Sequence, residues 1–331
     1  MRAAFINEVG PPENIVIGGL PDPSPTGGQV LVRVRAASVN PIDTYIRAGA
    51  APAPDLPRPY IVGSDLAGVV QAVGPDATRF HIGDRVWGAN QGVLGRQGTF
   101  AELAAIDQRW LYPTPETVSD EQAAAMALVG ITAHLGLVDE AKLDAGETIL
   151  VNGGSGAVGS TVIQMAKALG AQVIATTSGA EKAEYCRSLG ADHVLDHSTD
   201  DVPRRVHEIV ADGAHIWWET ARTPNLDTAV AALGRRGRLV LMAGRSARPE
   251  LPVWPFYSKC CRMYGFVMFQ AAPESQRRAG ERINRWLASG ALKAKIDRVG
   301  TLEETVELHR LQESNTIDAA GVIRGKLVVK L

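Results

Sequence analysis

Thr148-Ile149-Leu150-Val151-Asn152-Gly153-Gly154-Ser155-Gly156-Ala157-Val158-Gly159 is the stretch that decides how the chain is read. Its opening residues are mainly large aliphatics, the pattern of a strand buried on both faces. The spacing G-x-G-x-x-G follows as Gly154, Gly156 and Gly159, and Val158–Leu169 then reads as a helix stopped by Gly170. Alone, three glycines at that spacing are a weak signal; between a strand and a helix they have the setting their chemistry needs. Gly154 is expected to permit the tight turn, Gly156 to let the backbone approach a diphosphate, and Gly159 to pack helix on strand. The helix start, with Ser155, Ala157 and Val158 around it, would offer N–H groups and the positive end of the helix dipole. A phosphate loop of the GxxxxGK[ST] kind is excluded, because Ser160 stands where lysine would follow Gly159.

Outward from this loop the chain alternates. Strands are expected at Val173–Ala175, His193–Leu195, Ala214–Trp218 and Leu239–Met242. Helices are expected at Ala180–Leu189, Val202–Ala211 and Leu226–Leu233. This alternation, with apolar strands, predicts a doubly wound parallel sheet of the α/β class. The first ~120 residues differ: short β-type runs (Val30–Val34, Ala67–Val73, Arg85–Trp87) are divided by Pro- and Gly-rich turns, the texture of a small barrel. Ser119-Asp120-Glu121-Gln122 has capping-box spacing and opens an alanine-rich helix. The last residues, Gly325-Lys326-Leu327-Val328-Val329, are strand-like again and are expected to rejoin the N-terminal domain. The division expected is therefore 1–125 with 297–331 for one domain, and 126–296 for the other.

Composition narrows the partners. In 331 residues, Lys plus Arg (34) and Asp plus Glu (36) nearly cancel, and the arginine pairs are scattered, so no basic stripe for nucleic acid is in view. Asn7 and Glu8 interrupt what a secretory signal would need to keep apolar. The weakly polar stretch Ala123–Val138 falls short of the roughly 20 residues that span a bilayer. Two of the three cysteines, Cys260 and Cys261, are adjacent and bridge only with strain, so all three are expected as reduced thiols in a cytoplasmic protein.

The strand that should read the adenosine ribose ends Ala175-Thr176-Thr177-Ser178-Gly179, with no carboxylate at its tip for a ribose 2′-OH. Thr177 or Ser178 can donate a hydroxyl, Lys182 can add positive charge, and His197 could close over the adenine side. The expected dinucleotide is NADPH.

Taken together, these residues resemble the zinc-independent branch of the medium-chain dehydrogenase/reductases, specifically the NADPH:quinone oxidoreductases related to zeta-crystallin. The likeness runs through Ala37–Arg47, Pro59–Val70, Gly83–Gly88, Gly98–Glu102 and Gly130–Ala133, and through the glycine loop to Gln164 and Lys167. It implies a GroES-like β-barrel catalytic domain joined to a Rossmann cofactor domain, hydride transfer from NADPH, and a homodimer. It places Asn40 and Tyr45 near the nicotinamide ribose and the acceptor, with Tyr60 a weaker catalytic candidate. Thr132 and Lys326 are placed beside the cofactor, and Thr220 and Gly244 follow the fourth and fifth strands, where such sheets meet ligands. Where the zinc branch carries its first cysteine and a His-Glu pair, this chain has Asn40 and Ser64-Asp65, and the loop 89–97 has no cysteine for a structural zinc. His193 and His197 bracket a strand end and would stand roughly 13 Å apart, too far for one ion. No metal is therefore expected. Without a Lewis acid the acceptor must carry its own activation, which points to a small electrophile, a quinone or an α,β-unsaturated carbonyl. Enoyl-thioester reduction, or cofactor binding without catalysis in a sensor or structural protein, are the alternatives.

Overall fold

The computed structural model describes residues 1–51, 56–317 and 321–331. It separates into two compact units, Met1–Ile131 with Ala271–Leu331, and Thr132–Gln270. These borders differ from those expected at 125/126 and 296/297. The later border moves because helix Pro273–Ser289 packs with the first unit. A Cβ on its Gly280 would lie 2.4 Å from the Tyr112 ring, and its Asn284 accepts the Trp87 indole N–H at 2.8 Å.

The second unit is a six-stranded parallel sheet. Its spatial order is His193–Asp196, Gln172–Thr177, Thr148–Asn152, Ala214–Glu219, Leu233–Leu241, Arg262–Gly265. The strand before the glycine loop is therefore central, and the order of connection reverses between it and Ala214–Glu219, where such sheets bind ligands. Ile149, Leu150 and Val151 are fully buried, as a strand covered on both faces should be. Helix Ala157–Ala168 turns Val162, Ile163, Met165 and Ala166 into the core. Trp218 is wholly buried, edge-on to Phe266 at 6.3 Å, and a Cβ on Gly136 would strike its ring at 2.3 Å.

The first unit is built on a mixed seven-stranded sheet, the GroES-like part, and a smaller three-stranded one. Its long strand Gln29–Val39 pairs with Leu66–Val73, with Leu103–Asp107 and with the C-terminal strand Lys326–Lys330. In the last pairing Leu327 stands opposite Val39, which brings Lys326 to the end of the long strand, at Asn40.

Ser119 Oγ accepts the Gln122 N–H at 3.2 Å, so the N-cap forms where it was expected, but the capping box does not close, because the Gln122 side chain exchanges bonds with the Ala294 backbone instead. The helix runs further than the sequence suggested. Asp120–His134 continues as a π-turn through Glu140, giving 21 residues with an 18-residue window of mean hydropathy 1.3, long and apolar enough to cross a membrane. Since 78% of that apolar window is buried inside the protein, the helix has the environment of a core element.

Candidate functional site

The glycine loop has three distinct demands for glycine. Gly153, not Gly154, takes the left-handed turn, with φ 83°, and a Cβ there would lie 2.2 Å from Thr220 Oγ1. At Gly154 a Cβ would press on Ala175, Ile163 and Cys186 at 2.9 to 3.2 Å; at Gly159 it would be driven to 2.2 Å from the Gly153 carbonyl oxygen. Gly156 is different: nothing lies nearer than 3.5 Å to its absent Cβ, so the space there is open. Gly156 caps helix Ala157–Ala168, whose first-turn N–H groups have no intrahelical partner. An open glycine at a helix N-terminus is a fit for a diphosphate, whose charge the dipole stabilises.

The loop is tied down by its neighbours. Thr220 Oγ donates to the Asn152 carbonyl at 2.5 Å, and Ser155 Oγ lies 3.0 Å from Thr177 Oγ1. Thr177 is buried, so its hydroxyl braces the loop, whereas Ser178 is half-buried and Lys182 and His197 are exposed around the strand tip. Gly244 takes φ 84° after the fifth strand, and Thr132 is buried in helix Asp120–His134. One group at this corner escaped the sequence reading. Asp196, paired in register with Thr177 from the adjacent strand, accepts the Gly179 N–H at 3.1 Å and the Ser198 N–H at 2.9 Å. The Ser198 hydroxyl and these backbone donors hold its carboxyl down to about 2. The carboxylate missing from the end of the second strand is thus supplied beside it by the third.

In the first unit, Asn40 lies fully buried at the start of helix Pro41–Arg47. Its Nδ2 donates to Asp65 Oδ2 at 2.8 Å and to the Ser38 carbonyl at 3.2 Å, and its Oδ1 accepts from the Lys326 ammonium. Lys326 also donates to the Val39 carbonyl at 3.1 Å. Ser38 Oγ donates to Asp65 Oδ2 at 2.7 Å, and Asp43 accepts from the Asn40 N–H at 2.8 Å and from Ser64 Oγ at 2.5 Å. Burial pushes the Asp43 carboxyl up to about 7 and raises that of Asp65, while it lowers the Lys326 ammonium; attraction within the cluster opposes each shift.

Both ends of the Asn40 amide are therefore engaged. The side chain is a strut between Lys326 and Asp65. Tyr60 is also structural. Its hydroxyl donates to the Gly92 carbonyl at 2.9 Å in the core, and burial raises it beyond the ordinary phenol range. Tyr45 lies half-buried on helix Pro41–Arg47. A cavity of about 490 Å³ in the same unit, bordered by Arg79, Tyr112 and Asn284, includes none of these residues.

The positions that could ligate zinc carry an amide, a hydroxyl and a carboxylate, and an ammonium hydrogen-bonds into the same set. Catalytic zinc takes three ligands from His, Cys and carboxylates and needs an open fourth position. The donor set here does not fit it. Among the described residues no three His, Cys, Asp or Glu side chains are grouped to hold a metal ion.

A chain that carries both a GroES-like unit and a Rossmann sheet with this loop is a medium-chain dehydrogenase/reductase, an oxidoreductase class. Comparison with known proteins agrees: the "Alcohol dehydrogenase GroES-like domain" family matches residues 26–116, and the "Zinc-binding dehydrogenase" family matches residues 157–285. Within the class, the chain belongs to the zinc-independent quinone oxidoreductase family, related to zeta-crystallin. It is 31% identical to the human quinone oxidoreductase across all of this chain and 98% of that one. Among solved structures it is similar to an NAD-dependent alcohol dehydrogenase (31% identical, TM-score 0.89) and to a mycobacterial protein complexed with NADPH (29%, 0.86). Both likenesses cover the whole of both chains.

Proposed function

We propose that this chain is an NADPH-dependent reductase that delivers hydride to quinones or α,β-unsaturated carbonyls without a metal. The observation that carries the reading is the closed cluster of Lys326, Asn40 and Asp65 at the zinc-ligand positions, alongside an intact diphosphate loop. With no Lewis acid, an unactivated ketone has nothing to stabilise the alkoxide it would become, whereas a conjugated acceptor delocalises the incoming charge. Bound NADPH would supply the hydride from its nicotinamide ring. The chain's own residues would orient it: the loop from Gly153 to Gly159 on the diphosphate, with Ser178 and Lys182 toward the 2′-phosphate. Tyr45 would donate a hydrogen bond toward the acceptor oxygen.

The same reading makes the protein a cytoplasmic homodimer. Its three cysteines are free thiols, as a reducing compartment keeps them. Strand Arg262–Gly265 ends the parallel sheet with one partner. Beside it, helix Val253–Ser258 exposes Val253, Trp254 and Tyr257, an apolar surface suited to a second copy.

Steady-state NADPH oxidation with 1,4-benzoquinone, a 2-alkenal and an enoyl-CoA, each with and without chelator, tests the activity. Turnover of the quinone or alkenal that chelation leaves unchanged is expected. Turnover confined to saturated alcohols, or abolished by chelator, overturns the proposal.

A further inference from the structure

We infer that Glu219 is the positioning residue of the dinucleotide loop, acting through Asn152 and Thr176 without touching the ligand. The inference rests on the reading that this loop holds NADPH.

Glu219 ends the strand Ala214–Glu219 and is completely buried. Its Oε1 accepts from Asn152 Nδ2 at 2.8 Å and from the Ala221 N–H at 2.6 Å; its Oε2 accepts the Trp217 indole N–H at 3.0 Å. All three of these contacts are N–H donors, so both Glu219 oxygens accept and together fix which way the Asn152 amide faces. With the NH₂ turned to Glu219, Asn152 Oδ1 faces the next strand and accepts from Thr176 Oγ at 2.6 Å. That hydroxyl, its proton committed, offers a lone pair to the Gly153 N–H at 3.2 Å, and the Thr176 carbonyl takes the Gly154 N–H at 2.9 Å.

The bonds run in one direction across three strands: Gly153 N–H to Thr176, Thr176 to Asn152, Asn152 to Glu219. The direction is set by the member whose two oxygens both accept. In Glu219→Gln the side chain keeps a single carbonyl oxygen for three donors. Its new NH₂ faces another N–H, or lets Asn152 turn over, so that Thr176 Oγ must accept from both the Asn152 NH₂ and the Gly153 N–H while its own proton loses its acceptor. The hydroxyl that places the entry to the phosphate loop is then no longer held in its orientation.

The test is an NADPH titration followed by tryptophan fluorescence, with Kd as the readout, on wild type, Glu219→Gln, Thr176→Val, Thr176→Ser and the Glu219→Gln/Thr176→Val double variant. Each of Glu219→Gln and Thr176→Val is expected to weaken binding about ten-fold, roughly the loss of one buried hydrogen bond. Because both cut one chain, the double variant should also stay near ten-fold instead of reaching about a hundred-fold. Thr176→Ser, which restores the hydroxyl, should bind like wild type, and kcat at saturating NADPH should stay within about two-fold throughout. If Glu219→Gln does not fold, the Thr176 pair still decides, since Val and Ser differ at the hydroxyl in question. Multiplying effects, or a Thr176→Val that binds as tightly as Thr176→Ser, would overturn the role of Glu219 while leaving the cofactor reading intact. A wild-type chain that does not bind NADPH would overturn both.

Discussion

Single residues at the phosphate loop separate packing from recognition. Gly159→Ala drives a methyl group into the Gly153 carbonyl, so the loop must shift, and we expect a loss of about 2 kcal/mol or more in chemical denaturation. Gly156→Ala meets only open space inside the protein; its Tm should stay within about 2 °C while NADPH binding weakens by at least about ten-fold. Lys182 and Asp196, opposite in charge, follow the second and third strands, where the proposed adenosine ribose would lie. Lys182→Ala should raise KM for NADPH more than for NADH, and Asp196→Asn should shift preference toward NADPH by a few-fold. Steady-state kinetics with both dinucleotides checks the pair; equal effects on both cofactors would refute the charge argument. The glycine loop was legible from sequence because turn chemistry is a local property, although the left-handed turn falls at Gly153 and not at Gly154. Glu219 was not. It stands at the end of an apolar strand, where a carboxylate reads as the start of a loop, and only the fold brings Asn152, 67 residues away, to it. The bonds that hold Asn40 were not legible either, because its partner Lys326 lies 286 residues away.

Among the elements, the Rossmann strands were the most legible. Expected limits of Thr148–Val151 and Ala214–Trp218 became Thr148–Asn152 and Ala214–Glu219, since aliphatic runs punctuated by glycine leave little choice of register. The fifth strand was less so. It begins at Leu233, inside the span expected for a helix, and includes Arg235 and Arg236 within a run of otherwise mixed polarity. Helix Pro273–Ser289 shows the other limit, for its amphipathic pattern says that one face is buried but not against what. Gly280 and Asn284 settle that by fitting Tyr112 and Trp87. Replacing Gly280 with Leu should therefore destabilise the first unit by about 1–3 kcal/mol, read by denaturant unfolding, through overpacking on a buried ring. A neutral result would mean that the helix docks by some other contact.

For the whole molecule, acid sensitivity follows from one buried base. His309 packs edge-on to Phe100 at 6.2 Å, and among the described residues neither ring nitrogen has a hydrogen-bond partner. Burial, with the Arg47 guanidinium adding to it, pushes its imidazole down to about 3. The unfolded chain takes up this proton near pH 6.5. Stability from the neutral ring is thus complete above about pH 6.5 and is lost as pH falls toward 3, at about 1.4 kcal/mol per unit. His309→Leu should flatten the unfolding free energy between pH 6.5 and 4.5 relative to wild type; parallel profiles would contradict the assignment.

The placement of Lys326 also has a consequence in time. Synthesis runs from the N-terminus, so Asn40, Asp43 and Asp65 leave the ribosome long before the strand that brings their ammonium. Until Lys326–Lys330 arrives, two carboxyls would have to be buried without a cation, an arrangement that is strongly disfavoured. The alternating unit of residues 132–270 can close during translation, but the unit that begins the chain must wait for its end.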